Sequence, residues 1–323
     1  MRVDYKKFFN TSILITGANG LIGGTLLDFF LFLNSQYQAN ISLTVLVRQH
    51  LEIHNFFNDQ KINEIIQSVA DPIFCEYGLD YIFHVASNAH PRAYDLYPVE
   101  TILTTVLGTR NALELAKEKN AKLLFVSSSE VYGELPKGLE NHMEDNYGNV
   151  DILSPRSCYS ESKRLAETLV VSYVKEHNIH ANIVRPSYIY GARFSEKNTR
   201  ADVDFIKRCL SKKDIVLKSE GTQLRSYCYV LDCISAMLIV SLNGKLGEAY
   251  NISSDSGNVQ LVEFARTLAE TVGVKLIFDI QSTSSGSPVH NSLLSNQKLK
   301  SLGWQELFEL SEGVCDTFRN ILI

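Results

Sequence analysis

Short apolar runs and longer amphipathic stretches alternate along the first part of the chain. The short runs are rich in β-branched residues, so we expect strands at Ile13–Thr16, Ile41–Val47, Tyr81–Val85, Leu123–Val126 and Ala181–Val184. Apolar residues at helical spacing predict helices at Leu21–Leu33, Val99–Lys119 and Glu161–Glu176. Strands that are apolar on both faces and alternate with helices indicate a parallel sheet covered on both sides.

The alternation loosens after about Arg185. Pro186, Gly191, Gly221 and Gly244 punctuate shorter elements in this part of the chain. We therefore expect a smaller C-terminal unit, with some segments that return to the main sheet.

Composition excludes several classes of partner. The chain has 323 residues, a formal net charge of -5 and a pI of about 5.9. Because it is mildly acidic and has no basic block, we expect no nucleic acid and no membrane as partner. Its six cysteines are scattered without a close pair, so we expect buried thiols in a reducing compartment and no metal site. The start of the chain has no apolar signal-peptide core, and we expect a cytoplasmic protein.

A glycine-rich turn follows the first predicted strand. In ILITGANGLIGG, residues 13–24, the glycines are spaced G-x-x-G-x-x-G at Gly17, Gly20 and Gly23. Glycine allows turn dihedrals that other residues avoid and lets the backbone approach a pyrophosphate at the helix N-terminus. A simple strand–helix turn is the alternative, but the strand–turn–helix context favours binding of a nicotinamide dinucleotide. The loop residues expected to contact the cofactor are Gly17, Asn19, Gly20, Leu21, Ile22 and Gly23.

This motif sets the expected fold class. We expect an α/β protein with a Rossmann-type, doubly wound parallel sheet and a smaller mixed α/β C-terminal substrate domain. The expected boundaries are residues 1–186 for the dinucleotide-binding domain, with return segments near 226–254, and residues 187–323 for the substrate-binding domain.

The residue after the second predicted strand bears on the choice of cofactor. An acidic side chain is usual there and binds the ribose 2′-hydroxyl of NAD, but this chain has Arg48. Arginine suits the 2′-phosphate of NADP, whereas an arginine exposed in a variable loop is an equally good interpretation. We expect NAD, with NADP as the alternative.

Tyr159 and Lys163 form the candidate proton-transfer pair. They lie four residues apart in CYSESKRLAETL, which places both side chains on one face of the predicted helix. A free tyrosine titrates near ~10, and an ammonium ~4 Å away would lower that pKa by roughly three units. A cationic nicotinamide would act in the same direction. Tyr159 is then the candidate base for a sugar hydroxyl, while a solvated surface pair is the alternative.

A serine-rich segment follows the strand at Leu123–Val126. In LLFVSSSEVYG the strand leads into Ser127, Ser128, Ser129 and Glu130. Serine hydroxyls also cap strand ends in simple turns. However, open parallel sheets place their chemistry at the carboxyl ends of strands, which favours a catalytic serine here.

Four ordered motifs resemble the extended short-chain dehydrogenase/reductases. They are TGANGLIGG at 16–24, HVAS at 84–87, SSSEVYG at 127–133 and YSESK at 159–163. Members of that family act mostly on nucleotide-linked sugars. The resemblance implies that Ser128 is the catalytic serine, that Tyr159 and Lys163 also hold the cofactor, and that Ala86 and Ser87 lie beside it.

Within that family the chain is most similar to the UDP-glucuronate decarboxylases. HPRAYDLYPVETILT at 90–104 resembles their substrate loop, and RSCYSESKRLAET at 156–168 resembles their active-site helix. The resemblance implies assisting roles for Glu130 and Arg225 after oxidation at C4, although binding of diphosphate alone is an equal interpretation for Arg225. The residues expected to bind substrate are Arg92, Tyr94, Ser129, Tyr188, Arg193, Arg200 and Arg225.

Other positions depart from the family pattern. Thr105 and Tyr188 stand where asparagines are usual, Ser68 where an acid meets the adenine, and Thr199 where a glycine is usual in the substrate-covering loop. These departures suggest a divergent subgroup that acts on another nucleotide or sugar.

The resemblance leaves more than one reaction open. The leading hypothesis is decarboxylation of a nucleoside-diphosphate hexuronate, and 4-epimerisation of a nucleotide sugar is the alternative. A 4,6-dehydratase has an aspartate at the position of Ser129, which counts against dehydration. The resemblance also implies a homodimer that packs through the helices at Val99–Lys119 and Cys158–Glu176.

Overall fold

The computed structural model describes residues 3–51, 60–194, 198–280 and 290–321. Its strands, in chain order, are β1 (Ser12–Thr16), β2 (Ser42–Val47), β3 (Ile62–Ile66), β4 (Tyr81–His84), β5 (Lys122–Val126), β6 (Ala181–Pro186), β7 (Tyr188–Tyr190), β8 (Ile215–Leu217), β9 (Leu224–Tyr229), β10 (Ala249–Ile252), β11 (Asn258–Gln260), β12 (Leu276–Phe278) and β13 (Asn291–Ser292). Its α-helices are α1 (Leu21–Tyr37), α2 (Pro91–Leu96), α3 (Pro98–Lys119), α4 (Cys158–His177), α5 (Ala201–Leu210), α6 (Val230–Asn243), α7 (Leu261–Val272), α8 (Gln297–Ser301) and α9 (Leu310–Ile321).

The main sheet is parallel throughout. Its strand order is β10–β6–β5–β4–β1–β2–β3, which is the doubly wound arrangement predicted from the sequence. The order runs outward in both directions from the neighbouring strands β1 and β4. A crevice therefore opens at the carboxyl ends of these strands, where such sheets bind ligands.

Both faces of the main sheet are buried, as the apolar strands predicted. On β5, Leu124 and Val126 belong to one core cluster, whereas Leu123 and Phe125 belong to another. Successive strand residues point to opposite faces, so the two clusters lie on opposite sides of the sheet. The first cluster includes residues of α1 and α6, and the second includes residues of α3 and α4.

The five predicted strands and three predicted helices are confirmed, with small differences at their ends. Pro98 occupies the first turn of α3, where its missing N–H costs nothing, and Asn120 ends the helix in a left-handed conformation. The edge strand β3 was not predicted. Its Asn63 and Glu64 break the apolar pattern, because an edge strand is only partly buried.

A second, smaller sheet follows β6. β9 is its centre and pairs with β7 and β13 in parallel and with β11 antiparallel, while β8 and β12 form a separate pair. The chain then returns to the main sheet, because α6 packs against α1, β5 and β6, and β10 pairs with β6. The division into two domains at residue 186 stays a prediction.

None of the helices in the described ranges combines the length and apolar character that crossing a membrane requires.

Candidate active site

A cleft of about 1210 Å³ opens at the carboxyl ends of the main-sheet strands, between that sheet and the smaller one. It brings together almost all of the predicted site residues. Those that line it are Gly17, Asn19, Gly20, Leu21, Ile22, Gly23, Arg48, Ala86, Ser87, Tyr94, Ser128, Ser129, Glu130, Tyr159, Lys163, Tyr188, Arg193, Arg200 and Arg225.

Arg92 is the exception among the predicted residues. It is exposed on α2 and does not line the cleft. Tyr94, two residues further along the same helix, is buried and does line it. Two residues correspond to roughly 200° of helical rotation, so the two side chains leave α2 on opposite faces. The structure gives no support to the expected contact between Arg92 and substrate.

The three glycines of the turn fit the cradle of a dinucleotide. Gly17 has φ +76, and a Cβ there would lie 2.8 Å from the backbone of Ala86. A Cβ on Gly23 would lie 2.4 Å from the Gly17 carbonyl oxygen, so this glycine lets α1 pack closely on the turn. Gly20, at the N-terminus of α1, lines the cleft and leaves the backbone open to a pyrophosphate. These are the separate tasks that a nicotinamide dinucleotide requires of such glycines.

Thr16 fixes the neighbouring loop after β4. Its Oγ1 accepts hydrogen bonds from the backbone N–H groups of Val85 and Ala86, each at 3.1 Å, and lies 2.9 Å from His84 Nδ1. Because that oxygen already accepts two protons, its own proton goes to Nδ1, and we assign the histidine proton to Nε2. Burial and, to a smaller extent, the charge of Lys163 lower the pKa of His84 to about 3, so the imidazole is neutral.

Arg48 follows β2 at the edge of the cleft. Its side chain is 70% exposed, and Nη1 lies 3.9 Å from Oε1 of Glu100, which also lines the cleft. The carboxylate of Glu100 therefore lies beside Arg48, the residue for which the sequence left binding of a 2′-phosphate open.

Tyr159 and Lys163 are both buried at the start of α4, with 5% and 1% of their surfaces exposed. Lys163 Nζ donates a hydrogen bond to the Val126 carbonyl oxygen at 2.7 Å and lies 5.8 Å from the centre of the Tyr159 ring. The end of β5 thus fixes the lysine in the cleft.

The pKa of Tyr159 corrects one expectation. It is raised to about 12, mainly by burial and also by the charge of Glu130, while Ser128, Arg200 and Ser87 act in the opposite direction. Lys163 was expected to lower this pKa, but its ammonium points to a backbone carbonyl rather than to the phenol. Burial dominates here, and the phenol is protonated at neutral pH.

Lys163 itself has an altered pKa. Burial lowers it to about 7, and the carboxylate of Glu167, one turn further along α4, acts in the opposite direction. That carboxylate accepts hydrogen bonds from Ser127 Oγ at 2.5 Å and from Arg185 Nε and Nη2 at 2.9 and 2.6 Å. These contacts hold a fixed negative charge behind the lysine. Lys163 therefore changes its protonation near neutral pH.

The serine-rich segment after β5 forms a short 3-10 helix at Ser129–Tyr132. Ser128 caps it, because its Oγ accepts a hydrogen bond from the Glu130 backbone N–H at 3.2 Å. The same hydroxyl lies close enough to the Tyr159 phenol to lower its pKa. The cap thus places the serine beside the tyrosine and leaves Glu130 at the wall of the cleft.

Arg156 is a site residue that sequence reasoning missed. It lies in a 3-10 helix at Pro155–Ser157 and lines the cleft. Its Nη1 lies 3.3 Å from Glu130 Oε2, and its guanidinium carbon lies 4.5 Å from the centre of the Tyr94 ring. The Tyr94 ring also stacks on the ring of Tyr159, with centroids 4.7 Å apart. The motif RSCYSESK contains this arginine, but only the fold shows what it contacts.

Two further arginines line the cleft, Arg200 just before α5 and Arg225 on β9. Arg200 donates to Asp202 at 3.0 and 2.6 Å, and its guanidinium carbon lies 5.6 Å from the centre of the Tyr188 ring. The guanidinium carbon of Arg225 lies 5.4 Å from the same ring, and its Nη1 donates to the Leu224 carbonyl oxygen at 2.8 Å. Two cations therefore gather around one cleft-lining tyrosine.

Arg193 is held against the first turns of α1. Its Nε and Nη2 donate to the Asp28 carboxylate at 3.1 and 2.9 Å, and Nη1 lies 2.9 Å from where a Cβ on Gly24 would stand. Its contact with substrate stays a prediction. Over the described stretches of the chain, His, Cys, Asp and Glu side chains form no group of three or more suited to a metal.

Comparison with known proteins identifies the family. The sequence profile of the NAD dependent epimerase/dehydratase family matches residues 13–253. The chain belongs to this family.

Curated relatives in the epimerase/dehydratase family match nearly the whole chain. UDP-glucuronic acid decarboxylase 6 of Arabidopsis thaliana is 32% identical over 310 residues, which are 95% of this chain and 88% of that protein. UDP-glucuronic acid decarboxylase 1 of Xenopus tropicalis is 28% identical and covers 94% of this chain and 70% of its own length. The predicted family resemblance and the prediction of an NAD-dependent enzyme are confirmed.

Solved structures of the same fold include UDP-glucose 4-epimerase of Thermotoga maritima, with a TM-score of 0.81 and 23% identity over 97% of this chain and 100% of that one. UDP-glucuronic acid 4-epimerase of Bacillus cereus has a TM-score of 0.77 and 23% identity over 96% and 99% of the two chains. At this identity the likeness confirms the fold and leaves the reaction open.

Proposed function

We propose that this protein decarboxylates a nucleoside-diphosphate hexuronate after transient oxidation at C4, with UDP-glucuronate as the substrate to test. The observation that carries the proposal is the Glu130–Arg156 pair beside Ser128 and Tyr159. At this point of the cleft, a guanidinium can bind a substrate carboxyl group, and a carboxylate can help to deliver a proton. The relatives named UDP-glucuronic acid decarboxylases support the same reaction.

The first step removes a proton from the C4 hydroxyl group and a hydride from C4 itself. The pKa of Tyr159 would be lowered by a cationic nicotinamide, so that the phenol releases its proton to solvent and can then take the hydroxyl proton. Ser128 hydrogen-bonds the same oxygen, and Lys163 contributes positive charge nearby. When bound, NAD supplies the hydride acceptor for this carbon and the hydride donor after decarboxylation. The cofactor is therefore regenerated, and no external oxidant is consumed.

The second step breaks the C5–C6 bond. With a ketone at C4, the C6 carboxylate belongs to a β-keto acid, and CO₂ leaves while the bonding electrons form an enolate. Tyr159 returns its proton toward the C4 oxygen, which stabilises that enolate. C5 then takes a proton from a water that Glu130 orients, and the resulting ketone is reduced.

The arginines of the opposite wall suit the diphosphate. Arg200 and Arg225 flank Tyr188 in the cleft, and guanidinium groups bind phosphate oxygens through paired N–H donors. We assign diphosphate binding to these two residues and an aromatic contact to Tyr188.

Epimerisation at C4 is the second candidate, because it needs only Ser128, Tyr159 and Lys163. Dehydration is disfavoured, since Ser129 cannot act as the acid that protonates a leaving hydroxyl.

The test is to incubate the holoenzyme with UDP-glucuronate and to measure CO₂ release and product mass, with Tyr159→Phe as the inactive control. We expect CO₂ and a pentose product. Unchanged mass with altered stereochemistry at C4 would replace decarboxylation by epimerisation. Lack of turnover over a panel of nucleotide-linked uronic acids would reject the proposal.

We propose NAD rather than NADP as the resident cofactor. The carboxylate of Glu100 stands 3.9 Å from Arg48, where it would repel a 2′-phosphate. Mass spectrometry of the nucleotide released by heat distinguishes the two, and a 2′-phosphorylated dinucleotide would reverse the assignment.

We also propose a homodimer formed through α3 and α4. Both helices expose apolar side chains, among them Val99, Leu103, Leu165 and Val171. Two such helix pairs would pack as a four-helix bundle.

The cysteines bear on location. All six are free thiols, and five of them are buried. Unpaired thiols persist in a reducing compartment, so we propose a cytoplasmic location.

A further inference from the structure

Arg156 has donors to spare at the wall of the cleft. Its Nη1 and Nη2 donate to Glu130 at 3.3 and 3.5 Å. A guanidinium has five N–H donors, and among the residues that the structure describes no other acceptor takes one from Arg156. The side chain is 45% exposed and lines the cleft, so a ligand can reach the remaining donors.

A stack of aromatic rings fixes this arginine relative to the catalytic tyrosine. The guanidinium lies over the Tyr94 ring at 4.5 Å, and that ring stacks on Tyr159 at 4.7 Å with 18° between the planes. Stacking of a guanidinium on an aromatic face holds the plane of its donors. Arg156 is thus held one ring away from the phenol that would meet the C4 hydroxyl.

Two other arginines of the cleft, Arg200 and Arg193, are more firmly bound to carboxylates. Arg200 is bound by Asp202 at 3.0 and 2.6 Å, and Arg193 by Asp28 at 3.1 and 2.9 Å. The Arg156–Glu130 contacts are longer, and both side chains are more than one third exposed. An ion pair of this kind contributes little in water and opens readily. Arg156 can therefore take a new anionic partner beside Tyr94 and Tyr159.

Binding of a uronic acid at this point of the cleft requires a cation beside Glu130. A substrate carboxylate attached to C5, next to the oxidised carbon, would meet the carboxylate of Glu130. Two carboxylates repel each other unless a cation lies between them. A guanidinium that contacts both through separate N–H groups would satisfy this condition.

We infer that Arg156 binds the C6 carboxylate of the sugar and makes the site select hexuronates over neutral hexoses. The inference deepens the proposed function and rests on it for the position of the sugar. It also makes a prediction about binding that does not require turnover.

The experiment compares binding of UDP-glucuronate and UDP-glucose by calorimetry, in holoenzyme carrying Tyr159→Phe so that neither sugar reacts. We expect Arg156→Gln to weaken the binding of UDP-glucuronate on the order of 10- to 100-fold, which is the usual effect of losing charge-assisted hydrogen bonds. The affinity for UDP-glucose should change by less than about 3-fold, because this sugar has no carboxylate for Arg156 to contact. Arg156→Lys should restore part of the affinity, since it keeps the charge and loses the fork. Arg266→Gln, an exposed arginine on α7 outside the cleft, is the matched control.

A second background separates direct contact from an effect through Glu130. In Glu130→Gln the repelling carboxylate is absent, and Arg156→Gln should still weaken UDP-glucuronate selectively. Thermal unfolding of each variant checks that the fold is kept. If Arg156→Gln weakened the binding of both sugars equally, or of neither, the inference would be overturned.

The two proposals fail separately. Suppose that the wild-type enzyme releases no CO₂, but that Arg156→Gln abolishes the preference for binding the charged sugar. The inference about Arg156 then stands, and decarboxylation is rejected. If CO₂ is released and the preference survives in that variant, Arg156 is not the carboxylate receptor and the proposed function stands.

Discussion

The ring of Tyr94 stacks on the ring of Tyr159, with centroids 4.7 Å apart and 18° between the planes. This contact keeps water from one face of the phenol. Burial is also the main reason why the pKa of Tyr159 rises to about 12. The catalytic tyrosine therefore starts as a hydrogen-bond donor and becomes a base only when positive charge beside it lowers its pKa.

Replacing Tyr159 with Phe tests this arrangement. The ring and its stack on Tyr94 remain, while the group that exchanges a proton is lost. We expect turnover to fall by about 10²- to 10⁴-fold, with cofactor still bound and folding little changed. Steady-state rates and the absorbance of retained cofactor measure the two effects.

Tyr173→Phe is the matched control for that substitution. Tyr173 lies on the same helix, and its hydroxyl donates to Glu114 at 2.6 Å outside the cleft. Its loss should leave turnover nearly unchanged. Full activity of Tyr159→Phe would contradict the mechanism.

Gly23→Ala tests the packing of the phosphate turn. The added Cβ would lie 2.4 Å from the Gly17 carbonyl oxygen, a backbone atom that cannot move without distorting the turn. We expect cofactor affinity to fall by more than about 10-fold and the melting temperature to fall as well. Titration with NAD and thermal unfolding measure these changes.

Gly78→Ala serves as the comparison, because no atom lies within 4 Å of a Cβ there and Gly78 is exposed. It should leave affinity unchanged and stability unchanged or slightly higher. Equal NAD affinity in the two variants would show that the turn is not the cofactor cradle.

The sequence predicts those parts of the site that depend on local pattern. The glycines of the turn are required by backbone geometry over seven residues, and Tyr159 and Lys163 share a helical face. The strands β1, β4 and β5 are predictable because each contains an uninterrupted run of apolar residues.

Other parts depend on contacts between distant segments. The pairing of Arg156 with Glu130 joins residues 26 positions apart, and no local pattern indicates it. The contact of Arg92 with substrate stays a prediction, and the sequence could not show that Arg92 is exposed, because a helix of six residues has too few turns to reveal its buried face. The direction of Lys163 is set by the carbonyl at the end of β5, so the pKa of Tyr159 was not predictable from spacing alone.

Leu165→Lys tests the proposed dimer. Leu165 is 49% exposed on α4, on a helix pair that carries other exposed apolar residues. A charge buried in a four-helix interface is costly, so we expect the variant to sediment as a monomer. Leu246→Lys is the matched control, since Leu246 is 47% exposed but lies outside α3 and α4. A wild-type protein that sediments as a monomer would reject the proposal.

His142 should make the fold sensitive to acid. Its side chain is buried against Tyr132, with ring centroids 4.7 Å apart and planes 11° from parallel. Within the described part of the chain neither ring nitrogen has a hydrogen-bond partner. Burial therefore lowers the pKa of His142 from 6.5 to about 4.

The sign of the resulting pH dependence follows from proton uptake. Between pH 6.5 and about 4 the unfolded chain binds a proton at His142 that the folded chain does not, so stability is lost as the pH falls through this range. His142→Phe keeps the stack on Tyr132 and removes the titration. At pH 5 we expect the variant to be more stable than wild type by about 2 kcal/mol, with a difference near zero at pH 8. Denaturant unfolding at both pH values measures this difference, and parallel stability curves for the two proteins would show that His142 does not contribute.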